Sequence, residues 1–468
     1  MKKQLIEKVL LPIKKAGYNA YFVGGCVRDF LSGIKPHDYD ICTTATPQQL
    51  HSIFGKFSNI SKNSEVFGVS MPLININGKL EEIEIATLRR DLTKGRHPEI
   101  QYTSSLEEDA SRRDFTINAL YEDCDGNILD PTCFGLNDIE TKTLRFIGNP
   151  ESRILEDPLR IFRYVRFLSE KGYNKATVSF ENGVPVNEAN VIADIVLKYG
   201  TNFLYKEISK ERQLKEIIKI FNGKFLSKEI LNLMFRFGIL HQIGFEKYFI
   251  EMQNCEQSKT WHSEGNVLNH TMLVFEQAAN MDHDYIDIIA ALLHDVGKPA
   301  AGATNGKRDG IPIVHNHDAI GAPIAYDICK NMGLSNEDCN TIKWLVENHM
   351  LAHRISETKS KYKVWKLVSH PLFNRLLKLS IADSNGSISL KESETMDLCE
   401  FIKESWVKDL VGKPMPKRLV NGDDFIQKGI TPSPFFKKAL EVAYKLQIDQ
   451  ELSKDVIISN VLYIAKGK

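Results

Sequence analysis

Residues 21–44 read YFVGGCVRDFLSGIKPHDYDICTT. A short apolar run meets Gly24-Gly25, Arg28 follows, and Asp38 and Asp40 come next with one residue between them. The pattern predicts strand, glycine turn, helix and second strand, so the N-terminal part must be built on a sheet covered by helices. Alternation along a strand would project Asp38 and Asp40 from one face. Two carboxylates held that way repel unless a cation lies between them, and hard oxygen ligands suit Mg²⁺. The glycine turn and the start of the following helix, near Cys26, offer backbone N–H groups to a phosphate chain, and Arg28 adds charge there.

The rest of the composition narrows the class. The chain has 468 residues, 43% hydrophobic and 26% charged, enough for several domains with real cores. Its 60 basic and 60 acidic side chains cancel, so any nucleic-acid-binding surface must be local. The 8 cysteines are scattered without a CxxC pair, which argues against a zinc ribbon or disulfide framework and for a reducing compartment. MKKQLIEKVLLPIKKAG reads as an amphipathic helix rather than a leader, and no run approaches the roughly 18 apolar residues of a membrane span. The expectation is a cytoplasmic protein without a membrane partner.

Along the chain, residues 1–150 read as α/β, with strand-like runs such as EVFGVSMPLININ and KLEEIEIATLR. Residues 151–255 read as helical, beginning with RILEDPLRIFRYVRFLSEKG, where Leu155, Leu159, Phe162 and Val165 to Phe167 fall near one face. Within them ATVSFENGVPVNEANVIADIVLKYG reads as an irregular excursion. Trp261 to Gly265 reads as a linker into a helical, histidine-rich region, 256–400. Residues 401–468 are mildly basic and partly helical, with Pro414, Pro416, Pro432 and Pro434 marking loops. Lys403, Lys408, Lys413, Lys417 and Arg418 there read as a solvated surface.

Four blocks in order resemble the class II tRNA nucleotidyltransferase and bacterial poly(A) polymerase family. They are GGCVRDFLSGIKPHDYDICTTATP, LRRDLTKGRHPEIQYTSSLEEDASRRDFTINALYED, DGNILDPTCFGLNDIETKTLRFIGNP and EDPLRIFRYVRF. The second contains a loop around Gly95-Arg96-His97-Pro98, and in the third Phe134 stands where the family customarily has a second glycine. The resemblance implies a polymerase-beta-like nucleotidyltransferase palm, an α/β domain, followed by an all-α neck and body. It also implies Asp38 and Asp40 as the catalytic Mg²⁺ ligands and Gly25 and Arg28 at the nucleotide, with Arg112 and Arg113 candidates for triphosphate contact or for organising the palm. Glu84 is a candidate third acidic group, and a solvated strand glutamate is the competing reading. Asp114 and Asn118 read as structural, closing the turn into the next helix.

In the last block Asp157 and Arg160 are three apart, so a helix would put them on one face. A carboxylate accepts from an exocyclic amine and a guanidinium donates to a ring nitrogen or carbonyl. That pair matches cytosine, and adenine with a small shift, better than uracil or guanine. Arg163 and Arg166 continue the stripe toward phosphate or ribose. The neck helix customary in the family finds its nearest match in SKERQLKEIIKIF, with Glu211 and Arg212.

A second constellation lies in NVLNHTMLVFEQAA, IDIIAALLHDVGKP, IVHNHDAIGAP, WLVENHMLAH and LSIADSNGS. Adjacent His294-Asp295 fit a helix that is ending, and Gly297-Lys298-Pro299 supply the stop. His270, His294, Asp295 and Asp383 brought together would make an imidazole and carboxylate metal site, and His317 and His349 a second position. The pattern resembles the HD superfamily of metal-dependent phosphohydrolases. The resemblance implies an all-α HD domain using a divalent transition metal or Mg²⁺, of the kind associated with 2′,3′-cyclic phosphodiesterase and phosphatase activity.

Together the resemblances imply addition or repair of the 3′-terminal CCA of tRNA from CTP and ATP, with a hydrolase domain behind. Poly(A) polymerase and split A-adding or CC-adding enzymes share all four blocks. An HD hydrolase with a vestigial palm and a non-catalytic RNA-binding module are the readings from other classes. Dimerisation of the chain is left open.

Overall fold

The computed structural model describes the chain apart from residues 56–67, 94–98, 180–184, 261, 301–306, 309, 313, 356, 389–401, 403–404, 429–433 and 467–468. The Gly95 to Pro98 loop, Trp261, Lys403 and Pro432 therefore lie outside the described residues. Two compact units divide it, Met1–Glu246 and Lys247–Lys468.

In the first unit an N-terminal helical run, with a π turn at Ile6–Leu10, buries Leu5, Val9, Leu10 and Ile13 against a sheet. The sheet strands are β1 (Ala20–Val23), β2 (Ile41–Thr43), β3 (Val69–Ser70), β4 (Ile85–Thr87), β5 (Tyr121–Glu122) and β6 (Ile128–Leu129). They run in the order β6–β5–β1–β2–β4–β3; β2 and β4 are parallel and the other pairs antiparallel. Period-two alternation splits the strands between two cores. Phe22, Ile41 and Ile85 face the N-terminal helical run, while Val23, Cys42 and Tyr121 face the opposite cluster with Leu88 and Ala110.

Helix α1 (Gly25–Leu31) follows β1 directly. The aspartates do not sit on a strand as expected, because regular pairing starts at Ile41. Only the Asp40 carbonyl joins the ladder, accepting from the Val23 N–H at 3.0 Å. The reason is local: β1 ends at Val23 where Gly24 turns the chain away, and Pro36 has no N–H to offer. Helix α2 (Leu106–Ser111) is capped by Ser105, whose hydroxyl accepts from the Glu108 N–H.

A second correction concerns the expected helix over Asp157 and Arg160. Two helices are present instead, α3 (Pro150–Glu156) and α4 (Leu159–Lys171), with Asp157 extended at φ −145° and ψ 97° between them. Pro158 excludes the helical conformation at the residue before it. Asp157 still steers α4, since its carbonyl accepts from the Arg160 N–H at 3.0 Å and its carboxylate from the Leu159 N–H at 3.2 Å. The described residues of 176–200, expected to be irregular, are mostly regular. Thr177–Ser179 and Pro185–Asn187 pair as strands, and the Asn187 side chain caps α5 (Glu188–Tyr199). Helix α6 (Lys210–Phe221) packs along α4 through Ile217, Ile220 and Phe221.

The second unit is helical: α7 (Val267–Ala279), α8 (Tyr285–Leu293), α9 (His317–Met332), α10 (Asn336–His353), α11 (Lys361–Val368) and α12 (Phe373–Gly386). Helix α7 packs on α8 and α12, and α10 packs on α8, α9 and α12. Two further helices, α13 (Pro434–Gln450) and α14 (Lys454–Lys466), form a hairpin around Phe425, Ala443 and Ile457. Asp449 of α13 accepts from the Ser360 hydroxyl and the Tyr362 N–H, both at 2.7 Å, and so ties the hairpin to α11. Among the described residues no helix is long and apolar enough to cross a membrane.

Two candidate functional sites

The first site grows from the β1–α1 turn. Gly24 has φ +73° and ψ −128°, open to glycine and strained for any other residue. In the first turn of α1, the buried Arg28 guanidinium donates to Asn118 Oδ1 at 2.6 Å and to Asp29 Oδ1 at 2.7 Å. Asn118 donates to Asp114 Oδ1 at 3.0 Å, and Arg163 of α4 donates through Nε to Asp114 Oδ2 at 2.7 Å. A continuous path, Arg28–Asn118–Asp114–Arg163, thus joins the glycine turn to α4. Asp114 and Asn118 are its middle members.

A cavity of about 470 Å³ brings together Gly25, Arg28, Asp40, Arg113, Asp157, Arg160, Arg163 and Arg166. Arg112 lines a neighbouring cavity of about 220 Å³ with Arg113, Asp40 and Glu84. Asp38 lines neither; its side chain is 86% exposed and accepts from His37 Nδ1 at 2.9 Å. The surrounding protein raises the Asp40 pKa, Arg113 and Arg28 pull it down, and Asp38 pushes it up. Burial and the Asp40 charge raise Glu84. Asp40 feels the charge of Asp38, and Glu84 that of Asp40, and oxygen donors of this kind suit Mg²⁺, although the three carboxylates do not converge on one point. Behind Asp40, Cys26 Sγ lies 3.3 Å from the Val23 carbonyl and 3.7 Å from that of Asp40, and burial pushes its thiol up to about 11.

The arginines are individually held. Asp109 of α2, fully buried, accepts from Arg112 Nε at 2.8 Å, from the Arg113 guanidinium at 2.9 Å and from the Tyr121 hydroxyl at 2.8 Å. Arg160 donates to the Arg153 and Arg112 carbonyls, each at 2.8 Å, and to Glu156 at 3.0 Å. Arg166 pairs with Glu216 of α6 at 2.9 Å, and Arg212 of α6 with Asp157 at 3.0 Å. Glu211 points elsewhere, pairing with Lys215. Asp109 and Glu216 were not anticipated; Asp109 stands three and four residues before the two arginines, a legible helical pairing.

The second site gathers all six residues expected there. His270 Nε2 lies 3.0 Å from Asp383 Oδ1 and 3.3 Å from His294 Nε2. His294 Nε2 lies 3.2 Å from Asp295 Oδ2, His317 Nε2 3.2 Å from Asp295 Oδ1, and His317 and His349 meet Nε2 to Nε2 at 3.2 Å. Helix α8 ends at Leu293, so His294 and Asp295 can converge. Gly297 permits the approach of α9: a Cβ there would lie 2.1 Å from the His317 carbonyl oxygen.

Lone pairs face lone pairs here. The Nδ1 atoms of His294 and His349 are held by the carbonyls of Ala291 at 2.8 Å and Val346 at 2.7 Å, so that in the neutral ring the Nε2 lone pair is the one turned inward. Burial, with help from His294, pushes His349 down to about 3. Both Asp295 carboxylate oxygens are buried without a regular hydrogen bond. Imidazole and carboxylate donors so arranged suit one or two divalent cations. Lys298 Nζ sits 2.6 Å from Asp295, and His353 Nε2 2.8 Å from Asp383. His353 was not anticipated, although its place four residues after His349 marks a shared helix face. The supposed linker is part of the site: Glu264, 3% exposed at its side chain, accepts from both His262 and His270.

Comparison with known proteins agrees with this layout. Residues 20–145 match the Poly A polymerase head domain and residues 267–385 the HD domain. The CCA-adding enzyme of Oceanobacillus iheyensis is 30% identical over 339 residues, 70% of this chain and 72% of the relative. Poly(A) polymerase I of Salmonella typhimurium is 38% identical over 202 residues, 40% of this chain and 41% of that one. The fold matches the Bacillus stearothermophilus CCA-adding enzyme in complex with CTP at TM-score 0.57 and 20% identity, over 98% of this chain and 96% of that one. It also matches the Thermotoga maritima CCA-adding enzyme complexed with tRNA at 0.53 and 17%, over 99% and 94%. The chain belongs to the family of CCA-adding enzymes and bacterial poly(A) polymerases, with an HD domain behind its head domain.

Proposed function

We propose that the chain adds or repairs the 3′-terminal CCA of tRNA, using CTP and ATP without a nucleic-acid template. The observation that carries this is one cavity holding both Asp40 beside the glycine turn and the Asp157–Arg160 pair. Phosphate chemistry and base selection are thereby put within one nucleotide's reach. A relative matched over 70% of this chain and 72% of its own length is a CCA-adding enzyme, which favours this over poly(A) tailing.

Asp38 and Asp40, with Glu84 beside them, would hold Mg²⁺. When bound, that ion supplies activation of the attacking 3′ hydroxyl and charge balance for the departing pyrophosphate. The Gly25 N–H and the Arg28, Arg113 and Arg163 guanidiniums bind the triphosphate. Arg112 supports Arg113 through Asp109, and Arg166 braces α4 against α6 through Glu216. Asp157 accepts from the exocyclic amine of cytosine or adenine, while Arg160, fixed by two backbone carbonyls, donates to the ring. Uracil and guanine present a carbonyl where that amine should be, which sets an acceptor against the Asp157 carboxylate and costs about 1–3 kcal/mol.

The second unit acts as a metal-dependent phosphohydrolase on phosphate esters or 2′,3′-cyclic phosphates. His270, His294, Asp295 and Asp383 would hold one divalent ion and His317 and His349, through shared Asp295, a second. The deciding experiment uses three tRNAs ending before the CCA, after the first C and after both Cs, incubated with Mg²⁺ and CTP, ATP or both. Sequencing of 3′ ends should find finished CCA on all three. A-only addition to the last substrate would make the chain the A-adding member of a pair, and long A tails would make it a poly(A) polymerase.

A further inference from the structure

Glu264 occupies an unusual position beside the second site. Its carboxylate is almost wholly buried, yet three donors converge on it. Oε1 accepts from His262 Nδ1 at 2.9 Å and from His270 Nδ1 at 3.1 Å, and Oε2 accepts from the Ile388 N–H at 3.3 Å. The Ser263 N–H donates to the Ile388 carbonyl at 2.8 Å, so the segment before α7 is fastened to the residues after α12. Those two helices supply His270 and Asp383.

Three of the four metal-facing histidines have a partner behind the ring, of two kinds, while His317 Nδ1 is buried without one. His294 and His349 are fixed by carbonyls three residues back in their own helical turns. His270 is fixed by a carboxylate instead. A carboxylate behind an imidazole holds the Nδ1–H tautomer, directs the Nε2 lone pair forward and makes that nitrogen a stronger donor.

We propose that Glu264 is a positioning residue for the metal centre: it sets the tautomer and direction of His270 and thereby raises the affinity for a divalent cation. This rests on the reading of the second unit as a metal site. Glutamine cannot replace it, because three N–H donors meet there and an amide offers one oxygen and an NH₂ that opposes the Ile388 N–H.

The test titrates Mn²⁺, then Zn²⁺, into metal-stripped full-length protein by calorimetry, comparing wild type, Glu264→Gln and Asp295→Asn. Glu264→Gln should weaken binding about 10–100-fold while metal-free melting stays cooperative, and Asp295→Asn should remove the binding isotherm. Affinity within twofold of wild type in Glu264→Gln overturns the proposal while leaving the metal site standing. Wild-type binding that survives Asp295→Asn overturns the metal-site reading and this proposal with it. If Glu264→Gln melts without cooperativity, ¹⁵N-histidine spectra of the wild type decide. Recorded on the metal-free protein at a pH high enough that the His270 ring is neutral, a proton held on Nδ1 supports the proposal, and a proton held on Nε2 overturns it.

Discussion

The Arg212 guanidinium lies 3.0 Å from Asp157 Oδ2, although the two residues are 55 positions apart. The other oxygen of the same carboxylate accepts from the Leu159 N–H. Asp157 is therefore clamped from both sides before any nucleotide arrives. Both partners are partly exposed, so the pair contributes only about 0–1 kcal/mol to folding. Arg212→Ala should barely move the melting temperature. It should lower the CTP-over-UTP ratio of kcat/KM about tenfold, and Arg212→Lys should restore part of it. Equal selectivity in wild type and Arg212→Ala would remove α6 from base selection.

Asp40→Asn should abolish nucleotide addition, by about 10³-fold or more, and leave phosphate-ester hydrolysis intact; Asp295→Asn should do the reverse. Asp40 is disfavoured as an anion by its surroundings and by Asp38. The metal-free Asp40→Asn protein should accordingly melt at or above the wild-type temperature. Loss of both activities in either folded variant would contradict two independent sites.

Glu188, the first residue of α5, is fully buried. Burial pushes its carboxyl up to about 8, while the Phe146 N–H and Arg145 pull the other way. An acid whose folded pKa lies above its unfolded one binds more protons when folded, so stability falls as pH rises between the two values. Wild type should lose stability from about pH 4.5 to about pH 8. Glu188→Gln keeps an oxygen for the Phe146 N–H and should flatten that slope, gaining on the order of 1–3 kcal/mol at pH 8. Parallel melting curves against pH would refute the assignment.

Gly297→Ala asks whether the approach of α9 is as tight as its geometry implies. The added Cβ would meet backbone on both sides, 2.1 Å from the His317 oxygen and 2.5 Å from the Gly321 nitrogen, with no flexible side chain to yield. A loss of about 2–4 kcal/mol is expected, together with weaker metal binding through the displaced His317. Wild-type melting and metal content would show that the two backbones can part at little cost.

Much of this was readable from residue order alone. The glycine turn, the arginine after it and the aspartate pair define local chemistry, and His294-Asp295 before Gly297 defines a helix end. What could not be read depended on partners supplied from elsewhere. Strand geometry at Asp38 required ladder partners that β1, ending at Gly24, does not provide. Local signals were also present: Pro158 bars a helical Asp157, and Asp109 and His353 stand at helical spacing from Arg112, Arg113 and His349. The helix at Glu188 hid because its first turn follows a short strand pair, and helical periodicity over 12 residues yields to β-branched valines and isoleucines in a residue count. Glu264 and Glu216 carry no signal in their own neighbourhoods, since each acquires its meaning from a helix that reaches it only on folding.

Cys26 has one more implication. A sulfur directly behind Asp40 invites concern about thiol-reactive compounds and oxidants. At a thiol pushed up to about 11, roughly one molecule in ten thousand carries the reactive thiolate at neutral pH. Among the described cysteines Cys133, in the loop before Gly135, is the exposed one. Preparations alkylated at Cys133 should thus carry a probe and still possess an intact nucleotide site, which makes that cysteine a natural handle for labelling the enzyme at work.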